Sequence, residues 1–224
     1  MKNYKIFFVL AGLLAMLSSC SNQTNKEHSS TQPARQPVVI VPDTIINITL
    51  NDSIKELLTV RGRQITVAAK IKLKQELYKA VRRGGVENAL SFCNKKAMEL
   101  TDSISLANKV YVRRLAKKNR NPLNAMTDQE SNIFKGYIIS HLDKARMQPM
   151  ITWNSKGQPV YYNPMLVETE CMKCHGAPGK DIPDEVAKRI AKLYPGDKAE
   201  NFRVGDLRGM WSVTFPEYRV VDVK

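Results

Sequence analysis

The chain has 224 residues, with 35 Lys and Arg against 21 Asp and Glu, a formal net charge of +14. It has no internal repeat and, beyond its first twenty residues, no apolar stretch long enough to cross a bilayer, which excludes a solenoid and a multi-span membrane protein. About 180 residues remain for one domain with a sizeable core.

Lys2 and Lys5 precede an apolar run from Ile6 to Leu17 and then Ser18, Ser19 and Cys20, the layout of a secretory signal peptide and too short to span a membrane as a mature helix. The segment ending at Cys20 resembles the lipobox of bacterial lipoproteins, which makes Cys20 the expected lipidation site and a lipid anchor that tethers without spanning. An ordinary cleavage site with an incidental cysteine is the alternative. The expected division is a leader at 1–19, a polar tether at 20–43 containing a solvated His28, and a folded domain at 44–224. Export puts the domain in the bacterial cell envelope, facing the periplasm.

Within the domain, Ile54, Leu57, Leu58, Ile65, Ala69, Leu73, Leu77 and Val81 recur at helical spacing until Gly84 and Gly85, predicting a long leading helix that could pair with a copy of itself. A second helix over 86–100 places Val86, Ala89, Leu90, Cys93 and Ala97 on one inward face. Residues 110–115 read as a strand, and an irregular stretch follows, ending Arg120, Asn121, Pro122, Leu123, Asn124. Thr127 and Glu130 have capping-box spacing ahead of Ile133, Phe134, Tyr137, Ile138 and Leu142. Segments 150–153 and 160–162 flank Ser155, Lys156, Gly157 as a hairpin. Pro183 opens a helix that closes at Pro195 and Gly196, and 209–215 supplies a late strand. The expected class is α+β, with a small antiparallel sheet and flanking helices behind the long leading helix.

Cys171, Met172, Lys173, Cys174 and His175 read C-x-x-C-H, the spacing at which two thiols can each add to a haem vinyl group while the adjoining imidazole reaches the iron. Zinc would need a fourth ligand from Cys93, His28, His141 or a carboxylate, and no second C-x-x-C exists. A thioredoxin-like dithiol would need a strand before the motif and a helix beginning on it, whereas Asn163 and Pro164 before it and Gly176, Ala177, Pro178, Gly179 after it read as loop. One covalent haem c, on Cys171, Cys174 and His175, is the expectation. A zinc or disulfide lipoprotein is the alternative.

With Cys20 assigned to lipid and two thiols to haem, Cys93 is left over. On composition it is a small buried hydrophobe. The functional alternative is a sixth ligand to iron, for which His141 and the methionines Met98, Met126, Met147, Met150, Met165, Met172 and Met210 compete, as does a vacant position. The basic run Arg113, Arg114, Lys117, Lys118, Arg120 reads as a solvated face, with attraction to anionic headgroups or an acidic redox partner as sharper options. Nucleic acid is not expected, because the run lacks interleaved aromatics and the chain is exported.

Four blocks in order, namely Cys93–Asn94, Arg120 to Asn124 with Glu130, Cys171 to Gly176, and Tyr194, Pro195, Asp197, Ala199 with 205–209, together resemble an exported monohaem c-type cytochrome family with a PAS-like haem domain. The resemblance spans roughly 54–213. It implies a PAS-like α+β domain, haem on Cys171 and Cys174, His175 as proximal ligand and Cys93 as distal ligand, with Arg120 and Asn121 in a pocket-forming segment. The function expected is electron transfer or redox sensing by a membrane-anchored cytochrome, with a redox partner protein or membrane signalling partner. A gas or redox-ligand sensor acting through such a partner is the runner-up, and no distal histidine and arginine arrangement recommends an enzyme.

Overall fold

The computed structural model describes residues 38–221, so the expectations for the leader, Cys20 and His28 lie outside the described residues. The chain is already engaged with the domain at Ile40, whose N–H donates to the Tyr111 hydroxyl (2.9 Å) while its carbonyl accepts from the same group (3.0 Å). Strand β1 (Ile46–Ile48) pairs in parallel with β6 (Tyr218–Val220), joining the two ends of the domain. Neither strand is foreseen in the sequence.

Helix α1 runs Asp52–Lys95, begun by the Asn51 side chain, which accepts from Ile54 N–H, and by Asp52 in the positive first turn. Leu58, Gly62, Ile65, Thr66 and Ala69 form its buried stripe. Leu57, expected on that stripe, is 56% exposed and belongs with Val60, Val67, Ile71 and Tyr78 on the opposite side, because the run is apolar on two faces and adjacency to Leu58 does not give a shared face. Gly84 and Gly85 break α1 where expected: Gly85 sits at φ 65°, a conformation costly for any residue with a Cβ, and the Asn88 amide spans the break to the Ala80 carbonyl (2.8 Å). The second segment does not continue to residue 100; it ends at Lys96, and α2 (Ala97–Asn108) carries the chain on to Lys109 at φ 52°.

Strand β2 (Tyr111–Leu115) leads through a 3-10 turn at Pro122–Asn124 to α3 (Asp128–Leu142), where the Thr127 and Glu130 capping box forms reciprocally as expected. Leu142, expected to mark the apolar side of α3, is exposed; Phe134 and Tyr137 are its buried apolar residues, with the capping Glu130. Strands β3 (Met150–Trp153) and β4 (Pro159–Leu166) make the hairpin. After α4 (Met172–His175) and α5 (Asp184–Leu193), β5 (Leu207–Thr214) inserts between β2 and β4, giving an antiparallel sheet of order β2-β5-β4-β3. The fold is α+β with a small antiparallel sheet behind a long helix.

Register divides the sheet into two faces. Val112, Val213 and Tyr161 align on one and pack under α1 with Leu58, Ile65, Ala69 and Phe215; Leu115, Met210, Val160 and Tyr162 lie on the other and pack under α3 with Phe134 and Tyr137. Two smaller clusters sit apart. Leu90 packs on Ile182, Val186, Ile190 and Tyr194, and Val167 packs on Ala199 and Phe202. The C-x-x-C-H turn lies at both, since Cys174 touches the first cluster and Cys171 and Met172 the second.

Candidate functional site

The motif is not loop. Asn163 and Pro164 belong to β4, where Pro164 lies beyond the end of β3 and so has a ladder partner, Met210, on one side only; a missing N–H is tolerated there. A 3-10 turn at Thr169–Cys171 then runs into α4, which ends on His175. The three-residue separation of Cys171 and Cys174 on this helical turn puts both thiols on one side, with the imidazole one residue on. Gly176 closes the turn, its N–H on the Met172 carbonyl (2.9 Å), in a space where a Cβ would lie 2.4 Å from Asp181 Cβ and 2.8 Å from the Met172 carbonyl oxygen. Gly176→Ala is therefore expected to cost about 1–3 kcal/mol by overpacking, read as a lower urea midpoint.

The segment at 199–202 fixes the imidazole. Asn201 and Phe202 N–H groups donate to the carbonyls of Gly176 (2.9 Å) and His175 (3.0 Å), and His175 Nδ1 lies 2.7 Å from the Ala199 carbonyl oxygen. A carbonyl only accepts, so Nδ1 carries the proton and the Nε2 lone pair is left for a metal. Burial, and then Arg208 and Arg120, hold the imidazole's pKa well below its ordinary value, which keeps the ring neutral. The Phe202 ring meets it edge-on, centroids 6.4 Å apart.

Cys93 faces the turn from the second segment of α1. Burial pushes its thiol pKa up, against the pull of Arg114 and Arg120. Burial and then the neighbouring Cys93 push Cys174 up to about 11. Cys93 and His175 are both half-buried, so each keeps part of its surface. The three described cysteines are free thiols, and among the described residues no three His, Cys, Asp or Glu side chains gather as a metal cluster. His141 ends α3, which packs on the other face of the sheet from the one that α1 covers.

Arg120 and Asn121 have different roles. Arg120 Nε and Nη2 meet Asp197 (2.9 and 2.8 Å), and Nη2 also donates to the carbonyls of Cys174 (2.7 Å) and Ala199 (3.3 Å). Asp197 in turn accepts from Ala199 N–H (2.7 Å). The Asn121 side chain accepts from Leu123 N–H and caps the 3-10 turn.

The basic run is not one solvated face. Arg113 pairs with Glu130 (2.8 Å), while Arg114 shares the α1 side of the sheet with Val112, its Nε buried without a hydrogen-bond partner. Period-two alternation with Val112 was the available sign. Arg208 occupies an irregularity in the β4–β5 ladder, where Met165 opposes Gly209 and Leu166 opposes Leu207, leaving Arg208 as the extra residue. Its guanidinium stacks on Phe202 (5.0 Å) and donates to the Lys118 carbonyl (2.9 Å).

A charged clamp ties α1 to the residues before the motif. Lys70 and Lys74 both reach Glu168, and Glu170 takes Lys74 (2.7 Å) and the Tyr78 hydroxyl (3.1 Å). Lys74 holds the Glu170 carboxyl down to about 2, and Lys70 and then Lys74 lower Glu168. Depressed carboxylates stabilise the fold above their ordinary pKa, and that contribution is lost as pH falls through the folded value. Between about pH 4.5 and 2, Lys74→Ala is expected to flatten the acid loss of stability by no more than about 1 kcal/mol, the range for half-exposed pairs, read from urea midpoints across that window.

A profile of the Tll0287-like family matches residues 13–216, from before β1 to the end of β5. The chain belongs to the Tll0287-like family. The crystal structure of the cyanobacterial haem protein Tll0287 superposes with a TM-score of 0.51 at 28% identity, over 69% of this chain and 94% of that one. No curated protein sequence matches. All the site residues above lie inside the part matched by the Tll0287-like profile.

These residues fit a haem. They offer paired thiols on one turn, an imidazole whose Nδ1 is taken and whose Nε2 is available, a third thiol near Cys174, and a buried guanidinium nitrogen with no partner.

Proposed function

We propose that this chain is a monohaem c-type cytochrome of the cell envelope, anchored through a lipidated Cys20 and passing single electrons or registering redox state on the periplasmic side. Haem c would be joined to Cys171 and Cys174 and ligated by His175 Nε2 and Cys93, in a PAS-like α+β frame. The observation that carries this is the His175 Nδ1 to Ala199 carbonyl contact of 2.7 Å inside a C-x-x-C-H turn, which selects the tautomer that a proximal ligand requires. The relationship to a haem protein supports it.

Bound haem supplies a one-electron iron couple. The chain's own residues do the rest. His175 is held neutral and oriented with the Phe202 ring against it, and Cys93, beside the turn, must lose its proton to ligate. A thiolate ligand donates electron density and lowers the potential. The chain is expected to exchange electrons or signals with a redox partner protein or membrane signalling partner. No helix among the described residues is long and apolar enough to cross a membrane.

The test is the optical spectrum of protein matured with a c-type haem assembly system, ferric and reduced, with retention checked under denaturing conditions. Covalent haem with a low-spin, thiolate-like ferric spectrum is expected. In Cys93→Ala the haem should remain, the ferric spectrum should change and the midpoint potential should rise; an unaltered spectrum and potential would remove Cys93 from the iron. A sensor reading has one observation in its favour, since Cys93 rides on a segment bounded by the Gly84–Gly85 break and by Lys96. It requires carbon monoxide to displace Cys93 on reduction, visible as loss of the sulfur-ligated spectrum.

A further inference from the structure

Three guanidinium groups, Arg114, Arg120 and Arg208, converge around His175 and Cys93 and act electrostatically on each other or on those two residues. Only Arg120 is in direct contact with a carboxylate, Asp197, whose charge also acts on Arg208. Arg120 is paired with Asp197 and holds two backbone carbonyls, so most of its donors are already taken. Arg114 and Arg208 make no ion pair among the described residues, and Arg114 Nε is buried with nothing to donate to. Three guanidinium charges against the one Asp197 carboxylate leave an excess of two positive charges beside His175 and Cys93. A desolvated, unpaired charge is strongly unfavourable, and two of them near each other repel as well. Burial and the other two arginines push the Arg208 pKa down to about 10, the direction such crowding demands.

We propose that Arg114 and Arg208 form a two-point seat for a pair of carboxylates on one edge of a planar macrocycle, the haem propionates, with Arg120 left to hold the protein frame. The proposal rests on the haem reading above. Geometry favours this division. Arg208 approaches from the proximal side through its stack on Phe202, whose edge meets His175. Arg114 projects from the sheet face that packs under α1, the helix that carries Cys93. Two guanidinium forks offer the bidentate geometry that carboxylates accept, and the ladder irregularity takes Arg208 out of the strand's alternation, with its guanidinium over Phe202. Their charge count, two, matches the dianionic edge of one haem.

The test uses the matured full chain and the variants Arg114→Gln, Arg208→Gln and Arg208→Lys, read by resonance Raman spectroscopy in the propionate bending region and by redox titration. Each glutamine variant is expected to keep covalent haem and His175 ligation, to shift the propionate band, and to lower the midpoint potential by removing a cation that favours the ferrous state. Arg208→Lys, which keeps the charge but loses the fork, should restore the potential more fully than the band. Propionate bands identical to the parent's in both glutamine variants would overturn the seat while leaving the haem reading intact. If Arg114→Gln alters the sulfur-ligand spectrum and leaves the propionate band alone, Arg114 serves Cys93 instead and the seat is wrong. A parent chain that retains no haem would overturn the haem reading and the seat with it.

Discussion

Protein in which Cys171 and Cys174 are both alanine is expected to lose all haem that survives denaturation. The thiols stand three residues apart on one helical turn, and Cys93, the other described thiol, is on α1. A haem held at Cys171 and Cys174 is thus tied to one rigid element whose orientation is set by the contacts of 176, 199 and 202. Alanine removes the Cys171 Sγ that accepts from Glu168 N–H (3.4 Å) ahead of the 3-10 turn, but it leaves α4, which neither cysteine side chain caps. The double variant should fold and keep His175 on the Ala199 carbonyl, so haem added in solution would bind reversibly. Each single variant should retain haem through one thioether with a shifted reduced spectrum. The readout is haem absorbance after denaturing separation. Full retention in the double variant would move the attachment elsewhere and remove the central argument for a c-type cytochrome.

The elements that were legible in the sequence are those whose cause is local. Thr127 and Glu130 announce α3 because both halves of the capping box lie within one turn, and Gly84–Gly85 announces the break in α1 because no neighbour can supply what a Cβ forbids. The C-x-x-C-H residues were legible for the same reason, although their helical turn was hidden by the prolines and glycines around it. Features set by distant partners were not. Strands β1 and β6 are three residues each and gain their definition only from each other, across the length of the domain. Pro164 could be read as a strand residue only once β3 was known to stop short of it. Arg114, Arg120 and Arg208 look like surface charges until the sheet register and Asp197, 77 residues beyond Arg120, are in place. Sequence composition treats a guanidinium as solvated by default, and the sites where that default fails are the ones with chemistry to explain.

Arg120→Ala is expected to destabilise the domain by about 3–5 kcal/mol, the scale for removing one partner of a buried ion pair. The side chains of Arg120 and Asp197 are 10% and 8% exposed, which separates this pair from the half-exposed clamp on Glu168 and Glu170. Without Arg120, Asp197 keeps only the Ala199 N–H, and the carbonyls of Cys174 and Ala199 each lose a charge-assisted donor. At about 2 kcal/mol per molar for urea, the midpoint should fall on the order of 2 M. Arg120→Lys should lie between, since an ammonium can meet Asp197 but cannot also fork to the Cys174 carbonyl. The functional consequence passes through Ala199, whose carbonyl orients His175 and whose N–H is tied to Asp197; loosening it should broaden the His175 ligation signature before the haem itself is lost. A loss below about 1 kcal/mol would mean that the pair behaves like a surface ion pair screened by water.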